Sequence, residues 1–134
     1  MPSPARSLNL QLLPQEFAIV RLSPESALPF WSTQGSFFSI TRTPEELSLI
    51  AEADRVPRDL PSSFGWRILK VAGTFAFSEV GVLASLAVPL ASADVSIFAV
   101  STFDTDYVLL QTDNLPSAME ALKNAGHKIT GADF

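Results

Sequence analysis

The sequence predicts an α+β protein made of two ferredoxin-like units, and three observations carry that expectation. From residue 65 onward the apolar pattern reads strand, helix, strand, strand, helix, strand, the order that lays an antiparallel sheet beneath two helices. Residues 38–57 also lie over residues 97–116 without a gap, pairing Thr43 with Thr102, Glu45 with Asp104, Asp54 with Asp113, Val56 with Leu115 and Pro57 with Pro116. Finally, 134 residues suffice for one ordinary domain or for two very small ones sharing a core. The expected division is a degenerate unit over residues 1–64 and a complete one over 65–134.

Leu8, Leu10 and Leu12 alternate with Asn9 and Gln11, the period of a half-buried strand, and Pro14 ends it. A second strand covers residues 17–22 and stops at Ser23-Pro24. Two prolines in residues 24–31 leave room for one or two helical turns at most. Residues 37–41 form a third strand. Thr43-Pro44-Glu45-Glu46 has the chemistry of a helix start, yet the repeat makes it a turn followed by a strand over 47–53. Pro57 and Pro61 restrict residues 57–64 to a single turn.

The second unit opens on a strand containing Ile68, Leu69 and Val71, which leads to Gly73. Leu83, Leu86, Ala87, Leu90 and Ala91 recur at helical spacing, so a helix is expected over 79–93, capped by Ser78 and kinked or loosened by Pro89. Residues 95–100 and 107–112 make two strands around the polar turn Ser101-Thr102-Phe103-Asp104-Thr105-Asp106. Leu115, Ala118, Met119, Leu122 and Ala125 share one helical face, Gly126 stops that helix, and residues 127–130 form the last strand.

Composition narrows the function. There is no cysteine, which excludes disulfides, thiolate catalysis and cysteine-ligated metals. One histidine excludes a multi-histidine metal site within one chain, and no cofactor is implied. The net charge of −5, without a basic cluster, argues against nucleic acid. Apolar runs are interrupted before the ~18 residues a bilayer crossing needs. The N-terminal stretch has no apolar core of a secretory signal, so a cytoplasmic location is expected.

With those residues placed, the run from Phe77 through Leu86 together with Val95 through Tyr107 resembles the ACT domain, the amino-acid-sensing module attached to aspartate kinases and other metabolic enzymes. The tandem form is similar to stand-alone bacterial ACT proteins and to the arginine-sensing ACT proteins of animal cells. The resemblance implies a ligand site where the first loop and helix start of one unit meet a strand end of another. It carries the ligand-binding role to Glu79, Val80 and Gly81 in the loop and to Ser101, Thr102, Phe103 and Asp104 after the strand. Thr43 and Glu45 are the weak equivalents in the first unit.

Elementary chemistry fits that location. Backbone donors at a helix N-terminus favour a carboxylate, Gly81 admits close backbone approach, and Asp104 suits an ammonium or a cationic side chain. Each residue also has a plainer reading: Gly81 as a packing glycine, Glu79 as a complement to the helix dipole, the Ser-Thr-Phe-Asp run as a solvated turn. Trp31 and Trp66 read as core or interface residues, and His127 as a helix cap. The expected function is non-catalytic binding of a small amino acid, with a homodimer and an unidentified metabolic enzyme or regulator as partners. Two alternatives stand beside it: a dimerising interaction module without ligand, and a small enzyme using Asp104 and Asp106.

Overall fold

A computed structural model describes residues 7–76 and 78–131. Its elements are β1 (Asn9–Leu12), β2 (Phe17–Leu22), β3 (Ser39–Arg42), β4 (Leu47–Glu52), β5 (Ser62–Val71), α1 (Val82–Ser92), β6 (Ile97–Ser101), β7 (Asp106–Gln111), α2 (Leu115–Asn124) and β8 (Lys128–Thr130). Single 3-10 turns stand at Phe30–Thr33, Ala53–Arg55 and Thr112–Asn114. The chain gathers into two compact units, one of residues through Pro14 together with those from Arg67 onward, the other Gln15–Trp66.

In the larger unit β1 runs antiparallel to β5, with Leu10 opposite Val71 and Leu12 opposite Leu69. Its other edge runs parallel to β8, with Leu10 opposite Ile129. β5 also pairs with β7, and β7 pairs antiparallel with β6. This is the ferredoxin-like sheet with one extra strand, β1, set between the first and last strands of the unit. The expected division at residue 64 grouped residues 7–13 with the first half, whereas the strand they form takes its partners from the second. Burial is the reason: Leu8, Leu10 and Leu12 are buried in one core with Leu69, Val71, Leu86, Leu90 and Leu122.

Within residues 15–66 the strands lie in the order β3, β4, β2, β5, again ferredoxin-like. β2 pairs with β4 from Phe17 opposite Glu52 to Leu22 opposite Leu47. The helices of a complete unit are reduced to 3-10 turns, as prolines 24, 29, 57 and 61 lead one to expect. Ala18, Val20, Leu47, Leu49 and Ala51 form this core, with Trp31 and Phe64 packed against it.

From the fourth strand through the 3-10 turn that follows it, the internal repeat holds residue for residue. β4 and β7 start and stop at matching positions, as do the turns Ala53–Arg55 and Thr112–Asn114. The pairing register matches as well, Ser39 with Ile50 in one unit and Phe98 with Leu109 in the other.

α1 begins at Val82, three residues later than expected, because Gly81 adopts a left-handed conformation (φ +83°) that a continuing helix does not allow. No side chain caps it, so the expected role of Ser78 is not found. Pro89 sits inside the helix, which nevertheless runs on to Ser92. His127 caps α2 as expected, but through its backbone, whose N–H donates to the Leu122 carbonyl at 3.0 Å. Its side chain is buried, accepting the Leu8 N–H on Nδ1 at 3.1 Å and meeting the Ser85 carbonyl through Nε2 at 2.8 Å. Among the described residues no helix is long and apolar enough to cross a membrane.

Candidate functional site

The turn between β6 and β7 is built by two threonines. Thr102 donates its N–H to the Thr105 carbonyl at 2.8 Å, and Thr105 returns its own N–H to Thr102 Oγ1 at 3.4 Å. Thr105 Oγ1–H donates to the Val71 carbonyl at 2.8 Å in the interior, which fixes the turn to the end of β5. The loop from β5 to α1 is tied back in its turn: Phe75 N–H donates to the Asp104 carbonyl at 2.8 Å. Within that loop Ala76 N–H donates to Glu79 Oε1 at 3.1 Å and Glu79 N–H to the Ala76 carbonyl at 3.0 Å.

Between loop and turn lies a cavity of about 170 Å³ lined by Phe75, Ala76, Glu79, Val82, Ser101, Thr102, Phe103, Thr105 and Asp106. Of the residues expected from the sequence, Glu79, Ser101, Thr102 and Phe103 are brought together there. Val80, Gly81 and Asp104 are not among the lining residues; Val80 is 82% exposed. A Cβ at Gly81 would meet nothing within 4 Å, so this glycine serves the turn into α1 and guards no crowded approach. Asp104 contributes its backbone carbonyl to the scaffold. Phe77 lies outside the described residues.

Asp106, named beforehand only as half of an acid–base pair, is a lining residue, and Ser101 Oγ–H donates to its Oδ1. Asp104 and Asp106 therefore do not converge on the cavity. Phe75, Ala76, Val82 and Thr105 escaped sequence reasoning. Register supplies the missing signal for Asp106, which stands directly opposite Ser101 across the β6–β7 pair. In the other unit Thr43 makes the matching turn, donating its N–H to the Glu46 carbonyl at 2.9 Å, while Glu45 is exposed.

The cavity carries two carboxylates and three hydroxyls, and no lysine or arginine lines it. Its Val82 wall is the first turn of α1, where backbone donors lack helical partners. Larger hollows exist elsewhere. One of about 550 Å³ follows α2 past Leu115, Pro116, Met119 and Lys123, and its wall is mostly apolar. Another, of about 340 Å³, is lined by Glu16, Glu52, Asp54 and Arg58. The buried Glu52 there is already engaged. Arg55 Nε donates to it at 2.9 Å and holds its carboxyl below the usual range; burial opposes this and the Ser36 N–H assists it. Two carboxylates set beside the first turn of α1 mark the smallest of the three as the candidate site.

A family model described as an ACT domain matches residues 62–124, and a second, described as an N-terminal domain, matches residues 15–59. A solved structure of an Agobacterium tumefaciens protein is 39% identical, with a TM-score of 0.91 over 97% of both chains. The aspartate kinase of Clostridium acetobutylicum shares the fold, with a TM-score of 0.62 at 14% identity over 83% of this chain and 33% of that enzyme. The Homo sapiens cytosolic arginine sensor for mTORC1, subunit 1, is 34% identical over 96 residues, 66% of this chain. This chain spans about three-tenths of the length of that sensor (29%).

Proposed function

The chain belongs to the ACT-domain family, and from that premise we propose that it is a regulatory protein that binds a small amino acid in the cavity between Glu79 and Asp106 and has no turnover of its own. One observation carries the reading. The cavity sets Glu79 and Asp106, acceptors for an ammonium, beside Val82 in the first turn of α1, where a helix start favours a carboxylate. That is the complement of an amino-acid zwitterion. Binding regulates through population shift, limited by the difference in affinity between open and closed arrangements.

The test is thermal melting with each of the twenty amino acids at millimolar concentration, on the parent, Asp106→Asn and Glu79→Gln. A ligand at a hundredfold excess over its dissociation constant adds about 2.7 kcal/mol, a clear rise in melting temperature. The expected result is stabilisation of the parent by one or a few amino acids, lost in both variants. A parent that responds to none overturns the proposal.

A homodimer is the second reading. Among the described residues β6 pairs with β7 alone, leaving an edge that carries the exposed Phe98. Sedimentation velocity of the parent against Val100→Pro checks it: a dimer that survives proline in that edge removes β6 from the interface.

A further inference from the structure

We propose that residues 15–66 hold a second copy of the loop–strand arrangement, and that the exposed Arg42 sets its own guanidinium where a ligand would otherwise sit. The repeat aligns the two arrangements by their hydrogen-bond register. Arg42 faces Leu47 across β3 and β4 as Ser101 faces Asp106 across β6 and β7. Both pairs lead into a turn closed by the same threonine bonds, Thr43 to Glu46 and Thr102 to Thr105.

The difference lies in the side chain at the strand end. Ser101 is short and bonds Asp106, leaving space in front of the loop that follows β5. Arg42 is long and reaches the loop that follows β2, donating Nη1–H to the Pro24 carbonyl and Nη2–H to the Ser26 carbonyl, the latter at 2.8 Å. A planar guanidinium with fixed donor directions suits two such acceptors, and an ammonium does not span both. Where the complete unit supplies a carboxylate, this one has the fully buried Leu47, so backbone carbonyls alone receive the cation. The chemical class of ligand for the vacated position is therefore a guanidinium compound. The intact chain accordingly binds one ligand, in the Glu79–Asp106 cavity.

Chemical rescue tests this. Arg42→Ser should lower the melting temperature by about 2–4 °C, in the range that loss of a single contact produces in a chain of this size. Millimolar methylguanidinium chloride should restore at least half of the loss, while sodium chloride and methylammonium chloride at equal strength restore none. Arg42→Lys, which keeps the charge and the aliphatic stem, should melt below the parent and resist rescue. The double variant Arg42→Ser with Asp106→Asn separates this inference from the proposed amino-acid site: rescue persists there if the second arrangement is its own site. Rescue that disappears in the double variant, an Arg42→Ser protein that melts like the parent, or a loss that methylguanidinium leaves untouched each overturn the inference.

Discussion

His127 donates its Nε2–H to the Ser85 carbonyl at 2.8 Å, the same carbonyl that Pro89, four residues on and without an N–H, leaves without its helical donor. The tautomer follows from the other ring nitrogen. Nδ1 accepts the Leu8 N–H at 3.1 Å, so the proton resides on Nε2. One 4% exposed side chain thereby completes the hydrogen bonding of α1 and secures the residue leading into β1.

His127→Ala leaves the Leu8 N–H and the Ser85 carbonyl unpaired in the interior, and the expected loss is about 2–4 kcal/mol in urea denaturation. Pro89→Ala gives Ser85 a backbone donor. The cost of His127→Ala in that background should shrink by about 0.5–1 kcal/mol, read from a double-mutant cycle. Strict additivity would show that the two residues do not share the carbonyl.

Glu52 sets an acid limit. Its carboxyl is held below the ordinary range chiefly by the Arg55 hydrogen bond, so the folded state favours the ionised form. That contribution is present above the ordinary carboxylate pKa and fades as pH falls through the depressed folded value. Glu52→Gln should cost roughly 1 kcal/mol at neutral pH and flatten the acid limb of melting temperature against pH. An unchanged acid limb would mean that other carboxylates govern it.

Two glycines with positive φ should respond differently to alanine. At Gly131 (φ +116°) a Cβ would stand 2.3 Å from the Leu12 carbonyl oxygen, backbone that cannot yield without moving β1. At Gly81 the space is open, leaving only the backbone penalty of about 1–2 kcal/mol. Gly131→Ala should therefore lose clearly more stability than Gly81→Ala in parallel denaturant titrations, and equal losses would contradict the close approach.

Thr105→Val removes the hydroxyl that ties the β6–β7 turn to the Val71 carbonyl and keeps the side-chain shape. Stability should fall by about 1 kcal/mol. Any ligand-induced rise in melting temperature should fall with it, since Ser101, Thr102 and Asp106 lose their fixed position relative to Glu79. A variant with full ligand response would show that the turn holds its place without this bond.

Much of the fold is legible in the sequence because its signals are local. Alternation, turn chemistry and proline positions reveal the repeat from Thr43 to Thr102, the degenerate helices of the first unit and the apolar face of α2. The resemblance of residues 77–107 to ACT domains likewise points to the loop and the strand end that enclose the cavity. Neighbouring residues do not encode which side chains face inward there. Strand register turns Asp106 toward Ser101 and leaves Asp104 to act through its carbonyl, and the left-handed turn at Gly81 delays α1 to Val82. The place of β1 between β5 and β8, and the bond from Leu8 to His127 across 119 residues, belong to the tertiary structure alone. Sequence periodicity states that Leu8, Leu10 and Leu12 must be buried on one face; only packing of the whole chain decides which core has room for them.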